Sequence, residues 1–408
     1  MALRPAFERI GLSPPRRRCH LRFRAFERIL SALLLAFCAG AQEPSSPPAP
    51  SAQDTQSVAG GSLAQPPVDF AGYASFRRVA PQGGSNAANE FSASIFATGT
   101  LGRFRLHSEW NLSNATEYDS EGINLVHPRR DLSVKLDSAT LTYNVRDWLQ
   151  FAAGFEFVPT YWRAHRYQSV TLTVQDPVTD QSVFPTAFKG GLVKGDKYLE
   201  FGGFSYQLYG GVGQQTVYRP DGTGTFLARD PIMGGKFVFH APCGHWLDAC
   251  DVGIHLARVF LPGGHVNNLY GGEARLEKGR VGFLSEFAHA YMGVPNGGPA
   301  YNRQGFYVQG AYRLARTVWV VARFDRANLD SRFDGPNDIR RRLLGLVFRP
   351  VPDLSLKFEA NQYPGPTFIA NPDFGSLPVP ISVAASPLPG HPHHYGVSMS
   401  IVYFWHRP

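Results

Sequence analysis

The chain has 408 residues and a formal net charge of +8; charged residues make up only 18%, while Gly (42), Phe (30) and Tyr (17) are abundant. This length admits one large domain or two ordinary ones, and beyond residue 41 no apolar run is long enough to cross a bilayer as a helix. Residues 1–41 hold eight of the 40 basic and two of the 32 acidic side chains, so the remainder carries 32 against 30, a net of +2 that does not point to a nucleic-acid partner.

The chain opens as a targeting segment. Arg16, Arg17, Arg18, Arg22, Arg24 and Arg28 form a basic region, Ile29 to Cys38 a short apolar one, and Ala39-Gly40-Ala41 a small-residue cleavage site. A signal peptide over 1–41 is therefore expected, with the mature chain starting at Gln42. Cys38 suggests a lipoprotein signal, but Phe37 before it is too bulky for one. Residues 42–66, rich in Pro, Ser, Ala and Gln and without apolar periodicity, read as a disordered periplasmic tail.

From Val68 onward the pattern has period two. In Arg103–Trp110, Phe104, Leu106, Ser108 and Trp110 take one parity and Arg103, Arg105, His107 and Glu109 the other. Alternate side chains of a strand face opposite ways, so this strand separates something apolar from something wet. Sixteen such segments are expected, at 68–78, 90–99, 102–112, 133–145, 148–157, 188–201, 205–215, 232–241, 251–260, 267–277, 280–291, 303–313, 316–326, 339–349, 353–362 and 395–405. Most approach the roughly 9–11 residues that a tilted strand needs to cross a hydrocarbon layer.

The connections sort into two kinds. Links such as 100–101, 146–147, 278–279 and 314–315 are short; those at 79–89, 113–132, 158–187, 292–302 and 363–394 are long, and the two kinds alternate. A transmembrane antiparallel β-barrel over residues 67–408, with short turns on one side and long loops on the other, accounts for this sorting, which a soluble sandwich has no reason to show. By parity Arg103, Arg105, Glu109, Glu156, Arg323, Asp325, Lys357 and Glu359 point inward, giving a lumen of mixed charge.

Cys243 and Cys250 would close a small disulfide loop in an oxidising compartment; with His240 or His245 they make only an irregular metal pattern. No metal site and no cofactor is expected. Gly202-Gly203 and Gly210-Gly211 lie in strand context without a following helix, as barrel kinks rather than phosphate cradles. No strand carries a nucleophile–base pair, so an enzyme is not expected; a secreted, soluble β-rich binding protein or glycan hydrolase is the alternative, and it would need no detergent.

The last segment, Gly396 to Trp405, resembles the closing strand of bacterial outer-membrane proteins, except that His406-Arg407-Pro408 follow the aromatic. Asp147, Leu149, Gly154 and Pro159 have the spacing found before the third loop of the porin superfamily, and over about 68–408 the chain resembles the phosphate-selective porins O and P. The resemblance implies an outer-membrane channel for passive diffusion of small hydrophilic solutes, among them anions such as phosphate. It also implies a homotrimer in lipid and recognition of the C-terminal strand by the barrel-assembly machinery. The third long loop would then narrow the pore, with Arg163 and Arg166 at the constriction and Tyr161, His165 and Tyr167 shaping it.

Overall fold

The computed structural model describes residues 68–406 apart from 82–87, 114–116, 119–124, 128–132, 166–170, 175, 178, 180–182, 200–201, 219–224, 243–245, 294–299, 329–330, 332–337 and 365–392. The signal peptide and tail expected over 1–66 lie outside these residues. In chain order the strands are β1 (Val68–Pro81), β2 (Ala88–Leu101), β3 (Phe104–Ser113), β4 (Glu117–Tyr118), β5 (Leu125–His127), β6 (Ser133–Arg146), β7 (Leu149–Phe157), β8 (Ala187–Leu199) and β9 (Gly202–Tyr218). They continue as β10 (Thr225–His240), β11 (Ala249–Phe260), β12 (Val266–Lys278), β13 (Val281–Met292), β14 (Tyr301–Ala315), β15 (Val318–Asn328), β16 (Asp338–Val351), β17 (Leu354–Pro364) and β18 (His393–His406). A short helix, α1 (Tyr161–His165), lies between β7 and β8.

Sixteen strands pair antiparallel with their neighbours, and β1 pairs with both β2 and β18, which closes the sheet into a barrel. Closure leaves no unpaired edge. All sixteen expected segments are barrel strands. The small β4–β5 hairpin, which strand periodicity did not foretell, branches off between β3 and β6, and those two strands pair directly. β9 and β10 run further into their hairpin than expected, pairing as far as Tyr218 with Thr225.

Parity sorts the faces. On β15, Arg323 and Asp325 are buried inside, 1% and 0% exposed, while Val318, Val320 and Phe324 take the outward positions. The large exposed apolar side chains Leu106, Trp110, Phe151, Ile254, Leu256, Leu344 and Phe358 all lie on the outward parity. Trp405 covers Gly72, where a Cβ would run into the indole.

Three inward glycines form a cross-strand row: Gly154 pairs with Gly190, and Gly190 with Gly211. A Cβ at Gly154 would meet the Ala139 carbonyl, and one at Gly190 the Gly210 carbonyl. The sheet therefore bends closely where the chain leaves β7 for the interior. The expected kink at Gly210-Gly211 belongs to this row.

Cys243, one half of the expected Cys243–Cys250 bridge, lies outside the described residues, and Cys250 lies at the start of β11. Ala241 donates its amide to the Cys250 carbonyl at 2.8 Å, which holds Cys250 opposite Ala241.

Candidate functional site: a loop seated inside the barrel

Between β7 and β8 the chain does not stay at the barrel rim. Val158, Thr160, Trp162, Thr173, Val174, Val183 and Phe184 are each at most 4% exposed. Loops normally run over the surface because their backbone polar groups need water. Inside a barrel the wall must supply those partners, and it does.

On β17, Glu359 accepts from the Val174 amide at 2.8 Å, and the Lys357 ammonium donates to Thr171 Oγ1 (3.0 Å) and to the Thr173 carbonyl (3.3 Å). Asn361 Nδ2 donates to the other Glu359 oxygen at 2.9 Å. On β15, Arg323 donates to Thr173 Oγ1 at 2.9 Å and lies over the Trp162 ring, 5.5 Å from its centroid. Asp325 accepts from Arg323 Nε (3.1 Å) and from Arg341 Nε (2.9 Å), the latter on β16, and Arg341 also donates to the Asp176 carbonyl. Trp162 Nε1 donates to Asp176 Oδ1 at 3.1 Å and meets Tyr307 edge-on. At the start of the loop, the Tyr161 amide donates to Glu286 on β13 at 3.2 Å. Burial raises the Tyr161 phenol above the ordinary tyrosine range.

The returning limb is held differently. Val183 and Phe184 pack on inward apolar side chains of β8 to β13, including Leu192, Tyr209, Ile232 and Leu269. The interior thus has an apolar quadrant where strand alternation alone implied a polar one.

The sequence-predicted residues fall into three groups. Arg323, Asp325, Lys357 and Glu359 do point inward, but they hold the loop instead of facing open water, and Glu109 on β3 is 2% exposed. Arg103, in the turn before β3, and Arg105 are exposed; Glu156 is half-buried and accepts from the Phe157 amide at 3.0 Å. Arg163 is 4% exposed, its guanidinium donating to the carbonyls of Phe184 (3.1 Å), Thr186 (3.3 Å) and Pro185, so it ties the two limbs of the loop together. Tyr161 and His165 lie in α1; Arg166 and Tyr167 are outside the described residues.

Arg341, Trp162, Thr171 and Thr173 were not foreseen. Parity on β16 could have found Arg341, the inward member of Arg340-Arg341-Arg342, whose neighbours point the other way. Nothing in the local pattern of the loop announces which threonines meet a wall cation.

No family model matches the chain, and no curated protein does. Its fold is shared with solved bacterial outer-membrane proteins. The anion-selective porin from Comamonas acidovorans matches with a TM-score of 0.56 at 12% identity, over 83% of this chain and 99% of that one. Salmonella typhi OmpF matches with a TM-score of 0.53 at 12% identity, over 83% and 97% of the two chains. OmpT, an outer membrane protein of Vibrio cholerae, matches with a TM-score of 0.50 at 14% identity over the same shares. The barrel is therefore a closed, sixteen-stranded antiparallel β-barrel of porin fold.

Proposed function

We propose that the chain is a diffusion channel of a bacterial outer membrane, passing small hydrophilic solutes through a barrel narrowed by its own third loop. The observation that carries this reading is the seating of the described residues between 158 and 186 against β13, β15, β16 and β17. A barrel of this strand number encloses an aqueous space. A loop fastened across it reduces the bore and leaves the sheet intact. The apolar exterior supports lipid as the surrounding medium, and Trp110, Trp148, Phe348 and Tyr403 supply exposed aromatics of the kind that line membrane interfaces.

In this reading Arg163 braces the loop, its guanidinium donating to the loop's own carbonyls. The inward cations Arg105 and Lys194, set against Glu156, favour a modest preference for small anions, phosphate among them. Three such barrels side by side, assembled after recognition of β18, is the arrangement that the porin resemblance suggests.

The test is reconstitution of the folded protein in a planar bilayer. Ohmic conductance steps are expected, with a reversal potential displaced to the anion side in a potassium chloride gradient. Folded, heat-modifiable protein that gives no steps would overturn the reading.

A further inference from the structure

On the inner wall formed by β11, β12 and β13, three potential metal ligands converge. His255 on β11, Glu273 on β12 and Glu286 on β13 are 2%, 6% and 2% exposed, and one ligand atom from each lies within 4.8 Å of the other two. Glu273 and Glu286 are direct cross-strand partners on the inward face. Two carboxylates directly opposite repel each other, and burial removes the water that would screen them. The Lys236 ammonium, 2.8 Å from Glu273, supplies one positive charge for the pair.

The imidazole is the second observation. His255 is buried and meets the Gly272 backbone, yet neither ring nitrogen makes a well-aligned hydrogen bond, and Nε2 points at Glu286 Oε1 from 3.7 Å. Buried imidazoles usually satisfy at least one nitrogen. Room for the cluster is made by glycines at the facing positions. A Cβ at Gly271, opposite His255, would strike the imidazole, and one at Gly253, opposite Glu273, would strike that carboxylate side chain.

We infer that His255, Glu273 and Glu286 form a binding site for a divalent first-row transition metal ion of the zinc class. One imidazole nitrogen with two carboxylate oxygens suits such an ion. Metal–ligand distances of about 2.0–2.2 Å require the three atoms to draw together slightly, and the ion displaces the Lys236 ammonium from Glu273. Both ends of the inserted loop rest on this cluster: the Tyr161 amide donates to Glu286, and the Phe184 ring stacks on His255 at 4.9 Å. Metal occupancy therefore stiffens the loop where it enters and leaves the interior.

The experiment uses untagged, folded full-length protein in detergent, stripped with a chelator and titrated with Zn2+ by calorimetry, with Co2+ absorption as a report of coordination geometry. One Zn2+ per chain is expected, with a rise in the temperature of heat-modifiable unfolding. Affinity should fall at least tenfold in His255→Ala and Glu273→Gln and rise in Lys236→Met, with each variant's heat-modifiable migration confirming a folded barrel. The absence of saturable binding in the wild-type chain, or binding of equal strength in His255→Ala and Glu273→Gln, would overturn the assignment. The second result would place the ion on other histidines.

Discussion

The amide of Val174 donates to the carboxylate of Glu359 at 2.8 Å, joining the middle of the inserted loop to a wall strand 185 positions further along the chain. Both groups are buried, so neither has water to fall back on. Glu359→Ala strands that amide and removes a negative charge near Lys357. A loss of about 1–3 kcal/mol is expected for the orphaned donor. It should appear as a lower urea midpoint for unfolding from detergent, together with faster proteolysis within 158–186. An unchanged midpoint and cleavage rate would show that this contact does not hold the loop.

Asp325 is shared by two guanidiniums, those of Arg323 and Arg341, and is 0% exposed. Asp325→Asn leaves two buried cations with one neutral amide between them. Removing one partner of a buried ion pair costs about 3–5 kcal/mol. Any folded fraction should carry a more positive interior, moving the reversal potential further to the anion side. A neutral effect on both stability and selectivity would refute the bracing role.

Replacing 160–184 by a short Gly-Ser linker leaves the strand pairing intact and removes the obstruction. Single-channel conductance is expected to rise several-fold. A conductance equal to that of the full chain would mean that the loop does not set the bore.

Ile254 sits midway along β11 and is 53% exposed on the outward face. If that face meets hydrocarbon, Ile254→Arg should destabilise the barrel by about 2–4 kcal/mol, the cost of arginine near the bilayer midplane. The same substitution on a water-exposed strand would be close to neutral, so refolding titrations into lipid vesicles separate the two environments.

Gly190 lies in the cross-strand row with Gly154 and Gly211, where an added Cβ meets the Gly210 carbonyl. Gly190→Val should cost about 1–3 kcal/mol through forced displacement of a packed neighbour. A reduced heat-modifiable fraction after refolding is the expected result, and wild-type yield would show that the row has slack.

The sequence by itself determined the barrel. Period-two alternation over sixteen segments and the sorting of short and long links are local properties, and a strand's two faces follow from backbone geometry alone. The inward parity of Arg323, Asp325, Lys357 and Glu359 was legible for the same reason. What faces them was not. Whether an inward charge meets water or a folded-in loop depends on partners 150 to 186 positions away, as with Arg323 and Lys357 against Thr173 and Thr171. The tertiary structure alone decided that Arg163 turns back on its own loop, that β8 to β13 present an apolar patch to Val183 and Phe184, and that His255 meets Glu273 and Glu286. Each of these is a convergence across strands, and only closure of the sheet brings those side chains to one place.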